Sequence, residues 1–273
     1  MTRILHLDAG REMRGGQWQV LRLIEGLAAA GVESTLLARP DHPLYTAARK
    51  QGWRVEPLGL TRAVRELRSH SLIHAHDARS HTLGALLRAR PLVVARRVAF
   101  PVGSRWKYGK ARRYIAVSQF VKRVLIEGGV PEDKIAVVYD GVPLLEPAHG
   151  NKLLRLEKGK APADLEAALQ DIAILVYLTE SEGLGSGALM AMSAGIPVVA
   201  SDIGGLREVI RHGENGLLVP NQEAAIEAAV RELRENPEFA RRIGAAARQT
   251  VMERFTVERM VEGTMQVYRQ VLA

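Results

Sequence analysis

Apolar runs of strand length alternate with segments of helical periodicity along almost the whole chain, and no other feature narrows the fold as far. In the first half, runs at 3–8, 34–38, 55–58, 72–76, 92–96, 114–117 and 135–139 predict strands, several of them unbroken stretches of Ile, Leu and Val. Between them the spacing predicts helices such as 17–30, with Val20, Leu23, Ile24 and Leu27 on one face, and 119–127. Unbroken apolar strands are buried on both faces, which calls for a parallel sheet covered by helices on each side: a doubly wound α/β domain with right-handed crossovers.

The second half repeats the pattern more briefly. Strands are predicted at 152–156, 174–178, 197–201 and 216–219, and helices at 187–193, 222–235, 237–255 and 257–271. The stretch 143–150 reads as a linker, so domains at 1–147 and 148–273 are expected. A chain of 273 residues with 47% apolar and 25% charged side chains can hold two such cores. There is no cysteine, which excludes disulfides and thiolate metal sites and fits a reducing compartment. The opening run is read as a strand and not a signal peptide, and no run approaches the roughly 18 apolar residues of a membrane span. A cytoplasmic protein, peripheral at the inner face of the membrane, is the expectation.

Charge is unevenly spread. The formal net charge is +8; residues 1–150 carry 24 Lys and Arg against 13 Asp and Glu, whereas residues 151–273 carry 14 against 17. Residues 79–126 include twelve basic side chains and no acidic one, interleaved with Phe100, Trp106 and Tyr108. Such a surface suits an anionic membrane, an anionic substrate or nucleic acid, or is a solvated basic face. No nucleic-acid-binding motif accompanies it, so an anionic membrane surface is the partner expected and nucleic acid is not.

Three constellations can carry chemistry. In GREMRGGQWQV, Gly15 and Gly16 stand between a strand and a helix, where small residues let a ligand approach the backbone and helix amides attract a phosphate. The same turn is also needed for purely structural reasons. In IHAHDARSH, His74, His76, Asp77, Arg79 and His81 cluster at the carboxyl end of a strand, the edge where open α/β sheets bind ligands. His74 and His76 share a strand face, but no nearby Cys or Glu completes a metal shell, so substrate contact or proton handling is expected and a metal is not. The third is ESEGLGSGALMAMSAGIPVVASDIGGLREVIRHGENGLLVP, a glutamate and glycine turn running into a helix and a strand.

This third segment resembles the donor-site segment of retaining, nucleotide-sugar-dependent glycosyltransferases of the GT-B fold, group 1 and family 4-like. There a glutamate, a glycine turn, a helix and a strand precede GG-x-x-E and G-x-N-G-L-L. In the first half the RGG turn, HAHDAR, RRV-x-FPV, AVSQFVKRVL and VVYDGV resemble that family's acceptor-side lobe. The resemblance implies two Rossmann-like lobes. It implies that Glu182 sits by the donor sugar hydroxyls and the amides of Leu184 and Gly185 by the diphosphate, with Gly15 and Gly16 also on the donor. Arg155 and Lys158, in LLRLEKGK, are the nearest match to the basic pair that neutralises the diphosphate. Glu182 and His76 are implied in catalysis, and Asp77, Arg96 and Arg97 in acceptor binding. The family's ribose-gripping glutamate, eight residues after Glu182, is here Met190, a donor-site position that cannot accept two hydrogen bonds; as a plain core residue it needs no such role.

The LLRLEKGK turn is two residues short of the family pattern, and one helix follows where the family has several strand–helix units. Because the first and fourth strands of a 3-2-1-4-5-6 sheet are neighbours, a four-stranded parallel sheet survives this loss. The reading is a glycosyltransferase that moves a sugar from a nucleotide-diphosphate sugar to a lipid-linked or cell-envelope glycan acceptor with retention, without metal or other cofactor, oligomer formation being compatible. The alternative is a degenerate, non-catalytic binding or scaffold relative.

Overall fold

The computed structural model describes residues 2–157, 162 and 164–273. They divide into two compact units, residues 2–138 with 260–273, and residues 139–259.

In the first unit β1 (Arg3–Leu7), β2 (Glu33–Ala38), β3 (Val55–Pro57), β4 (Leu72–Ala75), β5 (Leu92–Arg96), β6 (Arg113–Ala116) and β7 (Ile135–Val137) form one sheet in the order β3-β2-β1-β4-β5-β6-β7. Every pairing in it is parallel. The connecting helices are α1 (Gly15–Ala29), α2 (Pro43–Lys50), α3 (Leu60–Leu67), α4 (Ala78–Leu86), α5 (Arg105–Tyr108) and α6 (Gln119–Glu127). The periodicity of α1 places Val20, Leu23, Ile24 and Leu27 in the core, each at most 3% exposed. Val20, Leu21 and Ile24 pack on Leu36 and Ala38 of β2 and on Leu44 and Ala48 of α2. Each such side chain contributes about 1.5–3 kcal/mol of burial. The strand order reverses between β1 and β4, and a crevice at a sheet's carboxyl edge opens at such a reversal.

The second unit holds β8 (Lys152–Glu157), β9 (Ile172–Leu178), β10 (Val198–Ser201) and β11 (Leu217–Val219), a parallel sheet in the order β11-β10-β9-β8. Its helices are α7 (Leu165–Leu169), α8 (Ser186–Ser193), α9 (Leu206–Val209), α10 (Glu223–Glu235) and α11 (Pro237–Arg254). Ile174, Val176, Val199, Leu217 and Val219 of the sheet meet Ile226, Ala229 and Leu233 of α10 and Ile243 of α11. This is the four-stranded remnant expected from the sequence. α8 and α11 approach closely because Gly244 has no side chain: a Cβ there would lie 2.2 Å from the Gly195 carbonyl oxygen.

The units differ from the division at 147/148. Tyr139 already belongs to the second unit, where its hydroxyl donates to Glu208 at 3.1 Å and its ring packs edge-on against Phe255. The Val142 amide donates to the Phe255 carbonyl at 2.9 Å. At the other end α12 (Val257–Leu272) runs into the first unit. Its apolar stripe decides this: Val261 lies where a Cβ on Gly26 of α1 would stand, 2.4 Å away, and Tyr268 reaches His74. A helix follows the surface that buries its stripe, and sequence order does not reveal which surface that is.

Candidate functional site

Candidate side chains gather at one place in each unit. In the first unit the place is the reversal between β1 and β4. Parallel register sets His6 beside His74, and His76 follows just beyond β4. All three are buried, at 0%, 1% and 6% exposure. Nδ1 of His6 lies 2.9 Å from Nε2 of His76, Nε2 of His6 lies 3.3 Å from the Ser34 hydroxyl, and Nδ1 of His74 lies 2.6 Å from the Tyr268 hydroxyl. The Arg97 guanidinium is 3.4 Å from Nδ1 of His76. A guanidinium only donates, so Nδ1 of His76 accepts, Nε2 carries its proton to His6, and His6 in turn donates to Ser34. Burial holds His6 down to about 3, with His70 and Arg97 adding to the effect. It holds His74 and His76 well below the ordinary histidine range, neighbouring histidines and Arg97 adding. The cluster is neutral at physiological pH.

Next to it, Asp8 accepts from the Gly10 amide at 2.8 Å and from the Gln17 side chain at 3.2 Å. Burial, then the Asp77 charge, raises Asp8 to about 6 against the pull of these bonds and of Arg97. Asp77 caps α4: its carboxylate accepts from the amides of Arg79 and Ser80, from the Ser80 hydroxyl, and from the Ala9 amide at 2.6 Å. It thereby ties the loop after β1 to the loop after β4. Gly15 and Gly16 open α1, and a Cβ built on Gly16 would lie 3.8 Å from Cδ of Arg97. Of the arginine pair, Arg96 is buried and anchors its own loop, donating to the Phe100 carbonyl and lying over the Tyr108 ring. Arg97 is the one directed at His76 and α1.

In the second unit the place is the turn from β9 into α8. Glu182 accepts from the Tyr177 hydroxyl at 2.8 Å and from the Gly183 amide at 3.1 Å. Burial and the Glu182 charge push the Tyr177 phenol well above its ordinary range, so it remains a donor. Gly185 caps α8 at φ 104°, a left-handed conformation natural to glycine, and a Cβ there would lie 2.5 Å from Leu206. Gly187 leaves room for the Tyr177 ring, 2.8 Å from where its Cβ would be. Gly205 presses on Gly183, whose carbonyl oxygen would be 1.9 Å from an added Cβ. The turn is therefore compressed between β9 and the GG-x-x-E segment, with Leu184 buried beneath it. Met190 is 4% exposed on α8.

Arg155 is not drawn to this turn. Its guanidinium makes a bidentate pair with Glu223 of α10, at 2.7 and 3.0 Å, and lies 3.4 Å from Glu157. It lines a groove of about 390 Å³ with Leu153, Ile226 and Val230. Lys158 lies outside the described residues. Reading along the chain missed His6, Asp8, Gln17 and Tyr268, because strand pairing and helix return place them. Tyr177 was findable, five residues before Glu182 at the end of a predicted strand.

Two parallel-sheet units, with a glycine turn and an acidic side chain at a sheet's carboxyl edge, fit a GT-B-type protein. The family comparison agrees: the "Glycosyltransferase Family 4" model matches residues 13–145 and the "Glycosyl transferases group 1" model matches residues 151–250. The chain belongs to the glycosyltransferases of the GT-B fold. It is 30% identical over 174 residues to N-acetyl-alpha-D-glucosaminyl L-malate synthase of Bacillus anthracis, covering 60% of this chain and 44% of that protein. It is 41% identical over 116 residues to alpha-maltose-1-phosphate synthase of Mycolicibacterium smegmatis, covering 40% and 29%. The chain thus spans less than half the length of these relatives. Among solved structures it resembles Anabaena HepE in complex with UDP and glucose, at 17% identity and TM-score 0.86, over 99% of this chain and 100% of that one. It also resembles the pneumococcal O-GlcNAc transferase GtfA in complex with UDP and GlcNAc, at 10% identity and TM-score 0.81, over 99% of each.

Proposed function

We propose that the chain transfers a glycosyl group from a nucleotide-diphosphate sugar to a lipid-linked or cell-envelope glycan acceptor, with retention at the anomeric carbon. The observation that carries this is Glu182, held by Tyr177 at the compressed turn before α8, where a carboxylate can accept sugar hydroxyls while the helix start faces an anionic leaving group. Leu184 and Gly185 offer the diphosphate their amides. Gly15 and Gly16 at the start of α1 are proposed to offer the donor a further approach to backbone, and Arg97, Asp77 and His76 stand alongside for the acceptor's polar groups. No metal is invoked in this chemistry. The UDP complexes of HepE and GtfA support a nucleotide sugar as donor. Calorimetry with UDP, GDP and ADP, followed by transfer assays with the matching sugars, tests the reading. Glu182→Gln is expected to lower transfer about 100-fold or more with little change in melting temperature. Full transfer by that variant would refute it.

The non-catalytic alternative is favoured by one observation: Met190 is buried where the resemblance calls for a ribose-gripping glutamate. Nucleotide binding without transfer to any acceptor would support it.

The partner surface proposed is anionic membrane. Val98, Phe100 and Trp106 are 43%, 56% and 51% exposed within the basic run, and the Lys110 ammonium lies 5.8 Å from the Trp106 ring centre. No helix among the described residues is long and apolar enough to cross a membrane. Cosedimentation with anionic vesicles that persists when Arg105, Lys107, Lys110, Arg112 and Arg113 become glutamine would exclude this docking.

A further inference from the structure

The sequence argued against a metal because His74 and His76 had no third ligand nearby, yet the sheet delivers one from 68 residues upstream. We infer that His6, His74 and His76 form a binding site for a divalent transition-metal ion, with zinc the ion their donor set fits. One ring nitrogen from each lies within 4.8 Å of the other two. The rings of His74 and His76 stand 4.1 Å apart and those of His6 and His76 5.2 Å apart. Zinc–imidazole bonds of about 2.0–2.1 Å need nitrogens roughly 3.3 Å apart in a tetrahedral site, so small side-chain adjustments suffice.

For His74 and His6 the outer nitrogens are already oriented as ligating histidines require. The Tyr268 hydroxyl holds Nδ1 of His74 and the Ser34 hydroxyl faces Nε2 of His6, leaving Nε2 of His74 and Nδ1 of His6 for the ion. Nε2 of His74 is buried with no hydrogen-bond partner among the described residues. Such a group carries a desolvation penalty that coordination would remove. Neutral imidazole is the ligating form, and burial keeps all three rings neutral. On binding, His76 would change tautomer: its Nε2, between it and His6, gives up its hydrogen and Nδ1 takes one up, with no net release of a proton. Three protein ligands leave a fourth position for water or a ligand oxygen at the sheet's carboxyl edge. One contact opposes the ion: a ligating His76 carries its hydrogen on Nδ1, facing the Arg97 donor at 3.4 Å.

Chelator-treated protein is titrated with Zn²⁺ by calorimetry and with Co²⁺ by visible absorption. One equivalent is expected, with a raised melting temperature. His6→Gln and His76→Gln should weaken it about tenfold or more, and Arg97→Gln, whose amide oxygen can accept the Nδ1 hydrogen, should tighten it. The absence of a bound equivalent, or binding abolished by glutamine at the half-buried His42 and the exposed His149 and His212 but retained in the core variants, overturns the proposal. Should a core variant fail to fold, X-ray absorption of the zinc-loaded protein decides: a shell of three imidazoles upholds the site and fewer overturn it.

Discussion

At the β1–β4 reversal the side chains that meet come from separate stretches of chain: His6, Asp8 and Gln17, then Ser34, then His74 to Ser80, then Arg97, and Tyr268 from α12. At the β9–α8 turn Tyr177, Glu182, Gly185, Gly187 and Gly205 all fall within residues 177–205. The first site exists only while strand register and helix return hold. The second is a compact unit of chain whose shape is set by four local constraints: a tyrosine–carboxylate bond, a left-handed glycine and two glycine close approaches. The histidine cluster belongs to the first, and a run of glycine close approaches shapes the second.

The comparison predicts that the two sites fail differently. All three tryptophans, Trp18, Trp53 and Trp106, lie in the first unit, so their fluorescence reads that unit while far-UV ellipticity reads both. The largest effect is expected for Met190→Glu. A carboxyl at a 4%-exposed core position should cost roughly 3 kcal/mol, with ellipticity lost ahead of fluorescence and no recovery on adding UDP. An unchanged melt together with tighter UDP binding would instead show that this face of α8 meets the nucleotide, and the contrast between sites would weaken.

A smaller effect concerns acid. Burial, aided by the charges of Lys107 and Arg96, lowers His81 to about 4, while in the unfolded chain it titrates at its ordinary 6.5. Its stabilising contribution is therefore intact above pH 6.5 and is lost as pH falls toward 4. By pH 5 this amounts to about 2 kcal/mol. Urea titrations followed by fluorescence, with chelator present, should show the stability gap between the protein and His81→Gln narrowing by that amount from pH 7.5 to pH 5. A constant gap would remove burial of this imidazole as a source of acid sensitivity in the first unit.

The smallest effect separates the two helix starts. α4 is capped by a side chain, Asp77, and α8 by a glycine backbone. Asp77→Ala should cost about 1–2 kcal/mol, chiefly in the fluorescence transition, because it removes bonds to the Arg79 and Ser80 amides and to the loop after β1. A loss below about 0.5 kcal/mol would show that the loop is held without it.

Much of this was legible along the chain. Predicted strands at 92–96 and predicted helices at 119–127 coincide with β5 and α6, because hydrophobic periodicity is a local property. The Glu182 turn was legible for the same reason. Arg155 was not, since the carboxylate that takes its guanidinium, Glu223, lies 68 residues further along the chain, on α10. Nor was the division of the chain, because the composition of 143–150 suits a linker whether or not Tyr139 and Val142 have already docked on the α11–α12 junction.

By itself, the sequence determined that the chain folds as alternating strands and helices in two parallel-sheet units, and that a carboxylate stands at a glycine turn before an apolar helix. These follow from side-chain period and backbone freedom, which act over a few residues. Only the tertiary structure decided that His6 stands beside His74, that Arg97 and not Arg96 turns toward His76, and that α12 comes back to lay Val261 on Gly26 and Tyr268 against His74. Those pairings depend on which strands become neighbours and which face a returning helix can bury. Both are settled by burial summed over a whole unit, which no short stretch of sequence contains.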